Sequence, residues 1–241
     1  MDLPTQASAG NDFEHILLKT TQERLHQKKS DGLSFADAIL PVFQEVLEFS
    51  DRIIQGLEES GQTPKVACKT GCSYCCHSQV NIIPIEALLI SSFIHTDFTG
   101  PQICTLRAGI SRTRALTAGK SIEQVYAMKS ELPCLFLSNK RCSIYKMRPS
   151  ICRSWNSLDS YSCRTAYDSV DPKSSVSASP ARNLVFGTTR ALFAQISDAC
   201  TLQSDTLLLH NAMSDCFDST DPLDRWAGGH DVFRYESQGT E

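Results

Sequence analysis

Residues 68–76 read CKTGCSYCC, four cysteines in nine positions. Thiols set a few residues apart let a tight turn aim several sulfurs at one ion, so such spacings recur in zinc and Fe–S sites. Gly71 and the crowding of thiols argue for an irregular loop here rather than a helix or strand. Cys75 and Cys76 add a constraint, because adjacent side chains point in different directions in either regular structure. Both reach one tetrahedral ion only with strain, so two metals or one polynuclear cluster suits the pair better. The fold predicted around this loop is mostly α: a helical domain around a small irregular cysteine-ligated metal centre, with a short β-hairpin.

A second group lies downstream at Cys134, Cys142, Cys152 and Cys163; three of the eleven cysteines, Cys104, Cys200 and Cys216, stand outside both groups. Those three read as small buried apolar residues. Residues 1–30 lack the basic start, apolar core and small-residue cleavage site of a secretory signal, so the chain reads as cytoplasmic. In that reducing compartment clustered thiols point to metal or redox chemistry, and an odd count fits complete disulfide pairing badly. A missed export route would revive the disulfide reading. No apolar run approaches the length of a membrane span. With 41% hydrophobic and 21% charged residues over 241 positions, the composition suits one sizeable domain with helical extensions.

A net charge of −4 argues against a nucleic-acid binder that works through a global basic field. The distribution says more than the sum. From Leu132 to Leu158 there are five basic residues (Lys140, Arg141, Lys146, Arg148 and Arg153) and no acidic one. From Ser60 to Ile85 there are Lys65 and Lys69, again with no carboxylate. Both cysteine segments are therefore positive within an acidic chain, which would offset thiolate charge and lower thiol pKa values. Lys140, Arg141 and Lys146 read equally well as a solvated turn. Arg148 and Arg153 flank Cys152 near a helix start and are the better candidates for a role beside a cluster.

Residues 1–11 read as disordered, and Phe13, Ile16, Leu17 and Leu25 space a helix over 13–29. Ser34 with Asp37 starts a second helix whose stripe runs from Ile39 through Phe43, Val46, Leu47, Ile53 and Ile54 to Leu57. Pro41 should kink that helix or mark its true start, and Gly61 with Pro64 ends it. A further helix starts near Pro84 and runs to about Ile94, and Ser121 with Gln124 caps a short one. Residues 134–145, CLFLSNKRCSIY, read as two short strands joined by a polar turn. Pro149 suits the first turn of a helix carrying Cys152. Residues 168–180 read as a surface loop, after which Ser179 and Pro180 make an N-cap and first-turn pair. The stretch 107–114, RAGISRTR, reads as a helix face or loop, with an anion-binding surface as the minor reading. The last twenty residues read as irregular, ordered in part by Trp226 and Phe233. Three parts follow: an N-terminal helical extension over 1–62, a cysteine-cluster metal-binding domain over 63–170, and a linker, C-terminal helices and tail over 171–241.

CKTGCSYCC, followed by PCLF, RCSIYKMRP, SICR and a final SCR, resembles the YkgJ-type cysteine cluster family, also called the CxxCxxCC family. Its members share eight cysteines and are described as zinc- or iron-chelating proteins, often labelled Fe–S oxidoreductases with no defined reaction; some relatives are assigned as flagellin lysine N-methylases. The resemblance covers about 63–167 and implies a metal set of Cys68, Cys72, Cys75, Cys76, Cys134, Cys142, Cys152 and Cys163. Tyr145, Arg148, Pro149 and Arg153 match the family's IYxxRPxxCR element, which makes Tyr145, Arg148 and Arg153 candidates for contact with the cofactor. The sequence departs from many members in opening with C-x₃-C rather than C-x₂-C and in a long insertion between the two groups.

The function expected is that of a cysteine-cluster metal-binding protein, holding an iron–sulfur cluster of [4Fe–4S] type or zinc, whose metal serves redox or methyl/group transfer. Whether it is an enzyme stays open. A different reading is a structural zinc module that orders loops for a protein partner; a protein substrate is the corresponding partner of the enzymatic reading. C-x₃-C-x₂-C with Tyr74 is also the radical SAM spacing. That motif is short, and the chain has neither alternating strands and helices nor a glycine-rich segment placed to bind SAM. His77 could replace a thiolate as ligand, but the six histidines have no metal spacing among themselves. A cysteine nucleophile paired with His77 is unnecessary when eight thiols cluster.

Overall fold

Ser34 starts the helix on which the rest is assembled. Its Oγ accepts the Asp37 N–H at 3.1 Å and donates to Asp37 Oδ2 at 2.7 Å, so α2 (Phe35–Glu59) begins where the sequence places it. Its apolar stripe buries Ile39, Phe43, Val46, Leu47 and Ile54. Pro41 lies inside α2 rather than at its start, and leaves the Asp37 carbonyl without its usual helical donor. At the far end Gly61 takes φ +74°, and the Gly61 and Gln62 N–H groups donate to the Glu58 and Leu57 carbonyls at 3.4 and 2.9 Å. This is the left-handed stop that glycine tolerates without a Cβ penalty.

The structure is a computed structural model that describes residues 6–171 and 173–234, with side chains from Phe13 onward. α1 (Gln6–Ser30) lies along α2. The disorder expected for 1–11 is therefore not found from Gln6 onward, and 1–5 lie outside the described residues. α8 (Pro180–Ala199) packs on both helices. Phe193 meets Phe43 edge-on at 4.4 Å between ring centres, Ser50 and Thr189 share a buried hydrogen bond of 2.9 Å, and Arg182 pairs with Glu58 at 2.8 Å. Pro180 opens α8 as expected, but Ser179 does not cap it. The Ser179 hydroxyl turns to Thr63 at 3.2 Å, and its N–H donates to Asn156 Oδ1 at 2.7 Å.

A second group of helices holds α3 (Pro84–Asp97), α4 (Gly100–Thr117) and α9 (Leu209–Asp218). α3 is apolar almost all round and is buried accordingly. RAGISRTR falls within α4, whose start is closed by Gln102 Oε1 accepting the Thr99 N–H at 2.7 Å. Arg107 donates to the Phe217 carbonyl at 3.2 Å and sits 4.6 Å from its ring, while Arg114 donates to Ser214 Oγ at 3.0 Å. These arginines dock α4 onto α9.

Among the described residues four two-residue strands make two antiparallel pairs: β1 (Asn81–Ile82) with β4 (Leu207–Leu208), and β2 (Leu137–Ser138) with β3 (Arg141–Cys142). The second pair is the hairpin the sequence predicts. The short helices α5 (Ile122–Ala127), α6 (Ser150–Ser154), α7 (Ser160–Asp168) and α10 (Pro222–Ala227) complete the fold. Trp226 and Phe233 are buried, and the Trp226 indole donates to the Gln203 carbonyl at 2.9 Å, so they do order the tail as far as Arg234. The larger apolar core runs through Leu17, Phe43, Ile85, Phe136, Met213 and Phe233, drawing on residues before, within and after the cysteine segments, and a smaller cluster gathers Ile54, Val185 and Phe186. Mostly α is the observed class. Among the described residues no helix is long and apolar enough to cross a membrane.

Candidate metal centre

The first cysteine segment is a chain of turns. Its start is pinned by the Ala67 N–H, which donates to the Ser157 carbonyl at 2.7 Å. The Cys72 N–H then closes a turn onto the Lys69 carbonyl at 3.0 Å, with Gly71 at φ +89° between them. A short 3₁₀ segment, Tyr74–His77, carries Cys75 and Cys76. No regular element gathers these sulfurs, as the glycine and crowded thiols predict.

The second group is delivered by three elements. β2 and β3 are joined by Asn139 and Lys140, both at positive φ, which is the two-residue turn whose twist matches a hairpin. Cys142 lies on β3, and Cys134 lies just before β2 with its N–H donating to the Cys76 carbonyl at 2.7 Å. That bond ties the two groups directly. α6 carries Cys152, and α7 carries Cys163. α7 is capped by Asp159, which accepts from the Tyr161 and Ser162 N–H groups at 3.0 and 2.9 Å. Its Tyr167 packs on the 3₁₀ segment, with ring centres 5.6 Å from Tyr74 and 5.0 Å from His77.

The thiols interact electrostatically as one group. Cys134, Cys142, Cys152 and Cys163 each sense Cys75, Cys163 also senses Cys68 and Cys72, and Cys76 is hydrogen-bonded to Cys75. Every shift goes upward. The hydrogen bond to Cys76, then burial and the charge of Cys76, push Cys75 up. Burial pushes Cys134 up to about 11 and raises Cys142 and Cys163. Cys152 goes well above its ordinary range through burial, with Cys134, Cys75 and Glu86 adding to it. The lowered thiol pKa values expected from the basic context are therefore not found at these five: the hydrogen bond to Cys76 dominates at Cys75, and desolvation dominates at the other four. Arg148 opposes the rise at Cys75, Cys142 and Cys152. Cys68 and Cys75 are exposed as residues, and the other six are partly buried.

Arg148 lies 4.0 Å over the ring of Tyr145, which is itself largely exposed, and its buried Nε has no hydrogen-bond partner. Arg153 lies within electrostatic reach of Cys142, while its hydrogen bonds run to the protein framework. Its guanidinium pairs with Asp51 of α2, donates to the Arg148 carbonyl at 2.9 Å and to the Lys146 carbonyl at 2.5 Å. Eight soft thiol donors with one under-satisfied cation beside three of them suit an anionic metal–thiolate group. Among the described residues no three His, Cys, Asp or Glu side chains already converge as a coordination shell.

Residues outside the two cysteine groups also shape the site. The acid-free stretches receive carboxylates from elsewhere: Asp51 reaches Arg153, and Glu86 lies within electrostatic reach of Cys152. Glu86 just after Pro84 marks a helix start, and that was the available signal. Tyr167 had none. His77 is held by Tyr167 and by a 3.3 Å contact from Nδ1 to the Lys129 carbonyl. Of the three outlying cysteines only Cys216 is buried; Cys104 and Cys200 are exposed, against expectation.

Helices surround a group of thiols drawn from two chain segments. In the family comparison residues 67–173 match the CxxCxxCC family, described as a "putative zinc- or iron-chelating domain". That segment is somewhat under half of the chain and contains both cysteine groups. Neither a curated protein nor a solved structure matches the chain.

Proposed function

We propose that the chain chelates zinc or iron through Cys68, Cys72, Cys75, Cys76, Cys134, Cys142, Cys152 and Cys163, with Arg148 and the Tyr145 beneath it facing the metal–thiolate group. The observation that carries this reading is that thiol-bearing elements of both segments are joined, by the Cys134 N–H donating to the Cys76 carbonyl at 2.7 Å and by Tyr167 of α7 packed on Tyr74 and His77. Each thiol gives up its proton on binding, so chelation releases protons. Four thiolates on a divalent ion leave a net charge of about −2, which Arg148 is placed to offset. Arg153 holds α6 to α2 through Asp51 and so steadies Cys152 from behind.

A bound [4Fe–4S] cluster would supply electron exchange, and a bound zinc would supply Lewis acidity or rigidity. Exposure of Cys68 favours a centre that a redox partner or group-transfer substrate can approach. The Cys134–Cys76 backbone bond favours the second reading, a structural zinc module whose ordered loops meet a protein partner.

The test is iron, sulfide and zinc content per chain after anaerobic purification, with a visible spectrum of the same sample. Iron with matching sulfide and a band that bleaches on reduction supports the redox reading. Stoichiometric zinc in a colourless, redox-silent protein supports the module. Cys72→Ser and Cys142→Ser should each lose metal while Cys216→Ser keeps it; equal content in all three refutes the ligand set.

A further inference from the structure

Glu86 is 1% exposed and lies outside both cysteine groups. Its Oε2 accepts the Ile83 N–H at 3.0 Å and its Oε1 accepts the Ser150 N–H at 2.7 Å. The first bond closes the start of α3. The second closes the start of α6, whose first residue is Ser150. One buried carboxylate thus joins two helix N-termini, each of which favours a negative charge. Burial pushes its pKa up, and the two N–H groups and Arg190 pull it back.

Burying a carboxylate is costly, and an exposed side chain can cap a helix just as well. What the burial achieves is a fixed distance between two elements. Ile83 directly follows β1, which leads out of the first cysteine group; Ser150 lies two residues before Cys152. α6 has five residues, too few to hold its own direction by helix formation alone. Its placement comes from outside: from α8, on which it packs, from Asp51 through Arg153 on the α2 side, and from Glu86 on the α3 side.

We propose that Glu86 is a positioning residue of the metal centre, fixing Cys152 against the first cysteine group by bridging Ile83 and Ser150; this rests on the eight-thiol reading above. The chemistry singles out one substitution. Glutamine has one acceptor oxygen and sets its NH₂ group against the second N–H, so Glu86→Gln can satisfy only one of the two bonds. Loss of a partner that orients a metal ligand typically weakens the site by ten- to a hundredfold.

The experiment is residue-resolved alkylation of the protein loaded with whichever metal the wild type retains, zinc or iron. In E86Q, Cys152 should react roughly ten times faster than in the wild type, while Cys68, Cys72, Cys75 and Cys163 keep their wild-type rates. Ser150→Pro removes the same N–H from the other side at a position where proline suits a helix start, and should reproduce the effect if E86Q folds poorly. Unchanged labelling of Cys152 overturns the proposal, and so does an equal acceleration at all eight cysteines, which would mark a general loosening of the fold. A wild type that retains neither metal overturns the eight-thiol reading as well, which separates the two failures.

Discussion

Cys216 is a thiol shut away from solvent, and burial pushes its pKa up to about 12, with Ser91 pulling it back and Asp215 adding to the rise. The folded protein therefore keeps a proton that the unfolded chain releases near 9. Stability from this group is complete below about pH 9 and is lost as pH rises toward 12, at roughly 1.4 kcal/mol per pH unit. Cys216→Ala removes that slope. Denaturant unfolding at pH 8 and pH 10.5 should show a fall smaller by about 2 kcal/mol in the variant than in the wild type; equal falls would contradict the assignment. Cys104 and Cys200 carry the same side chain and reach solvent. Residue type alone sets only an average burial for cysteine. Cys216 faces α3 from α9, whereas Cys104 lies on the outer side of α4 and Cys200 caps the end of α8, and those facings depend on tertiary packing.

The elements that could be read in the chain are those with local chemistry at their ends. Ser34–Asp37 starts α2, Ser121–Gln124 starts α5, and the polar SNKR turn closes the hairpin. In that turn Lys140 holds φ +58°, where glycine is preferred in a two-residue hairpin. Lys140→Gly should stabilise the protein by about 1 kcal/mol, read as a higher melting temperature, and no rise would mean the lysine has a compensating contact. α7 was not legible, because SYSCRTAYD is short, polar on average and poor in strong helix formers. It is held by its Asp159 cap, by the Tyr167 rings contact and by the Tyr126 hydroxyl donating to the Ala166 carbonyl at 3.0 Å. Asp159→Ala should cost about 1 kcal/mol and speed alkylation of Cys163 ahead of Cys134; equal rates would mean the tyrosines alone hold α7. The β1–β4 pair was equally silent, since two-residue strands joined across the chain leave no periodicity.

At the scale of the molecule, the mostly helical class and the hairpin were readable, because helix period and turn chemistry are local. The partners of the cysteine segments were not. α6 packs on α8, α3 on α9, β1 on β4, and Arg153 reaches back to Asp51, so the segment between 67 and 173 is bounded by helices from both ends of the chain. The buried core that unites them runs from Leu17 to Phe233 and is mostly aliphatic and aromatic side chains, with Cys134, Cys142 and Cys152 packed at its edge. This separates the protein from small zinc modules, in which metal binding is itself the folding energy. Here a chain of this size has enough apolar burial to stand without the ion. Stripping the metal with a chelator under reducing conditions should leave most of the far-ultraviolet helical signal and a cooperative thermal transition. The loss should be confined to the 3₁₀ segment, the hairpin and α7, seen as faster amide exchange over 68–78, 134–145 and 160–168. Collapse of the helical signal on metal removal would show that the thiols, rather than the core they border, hold α2, α3 and α8 together.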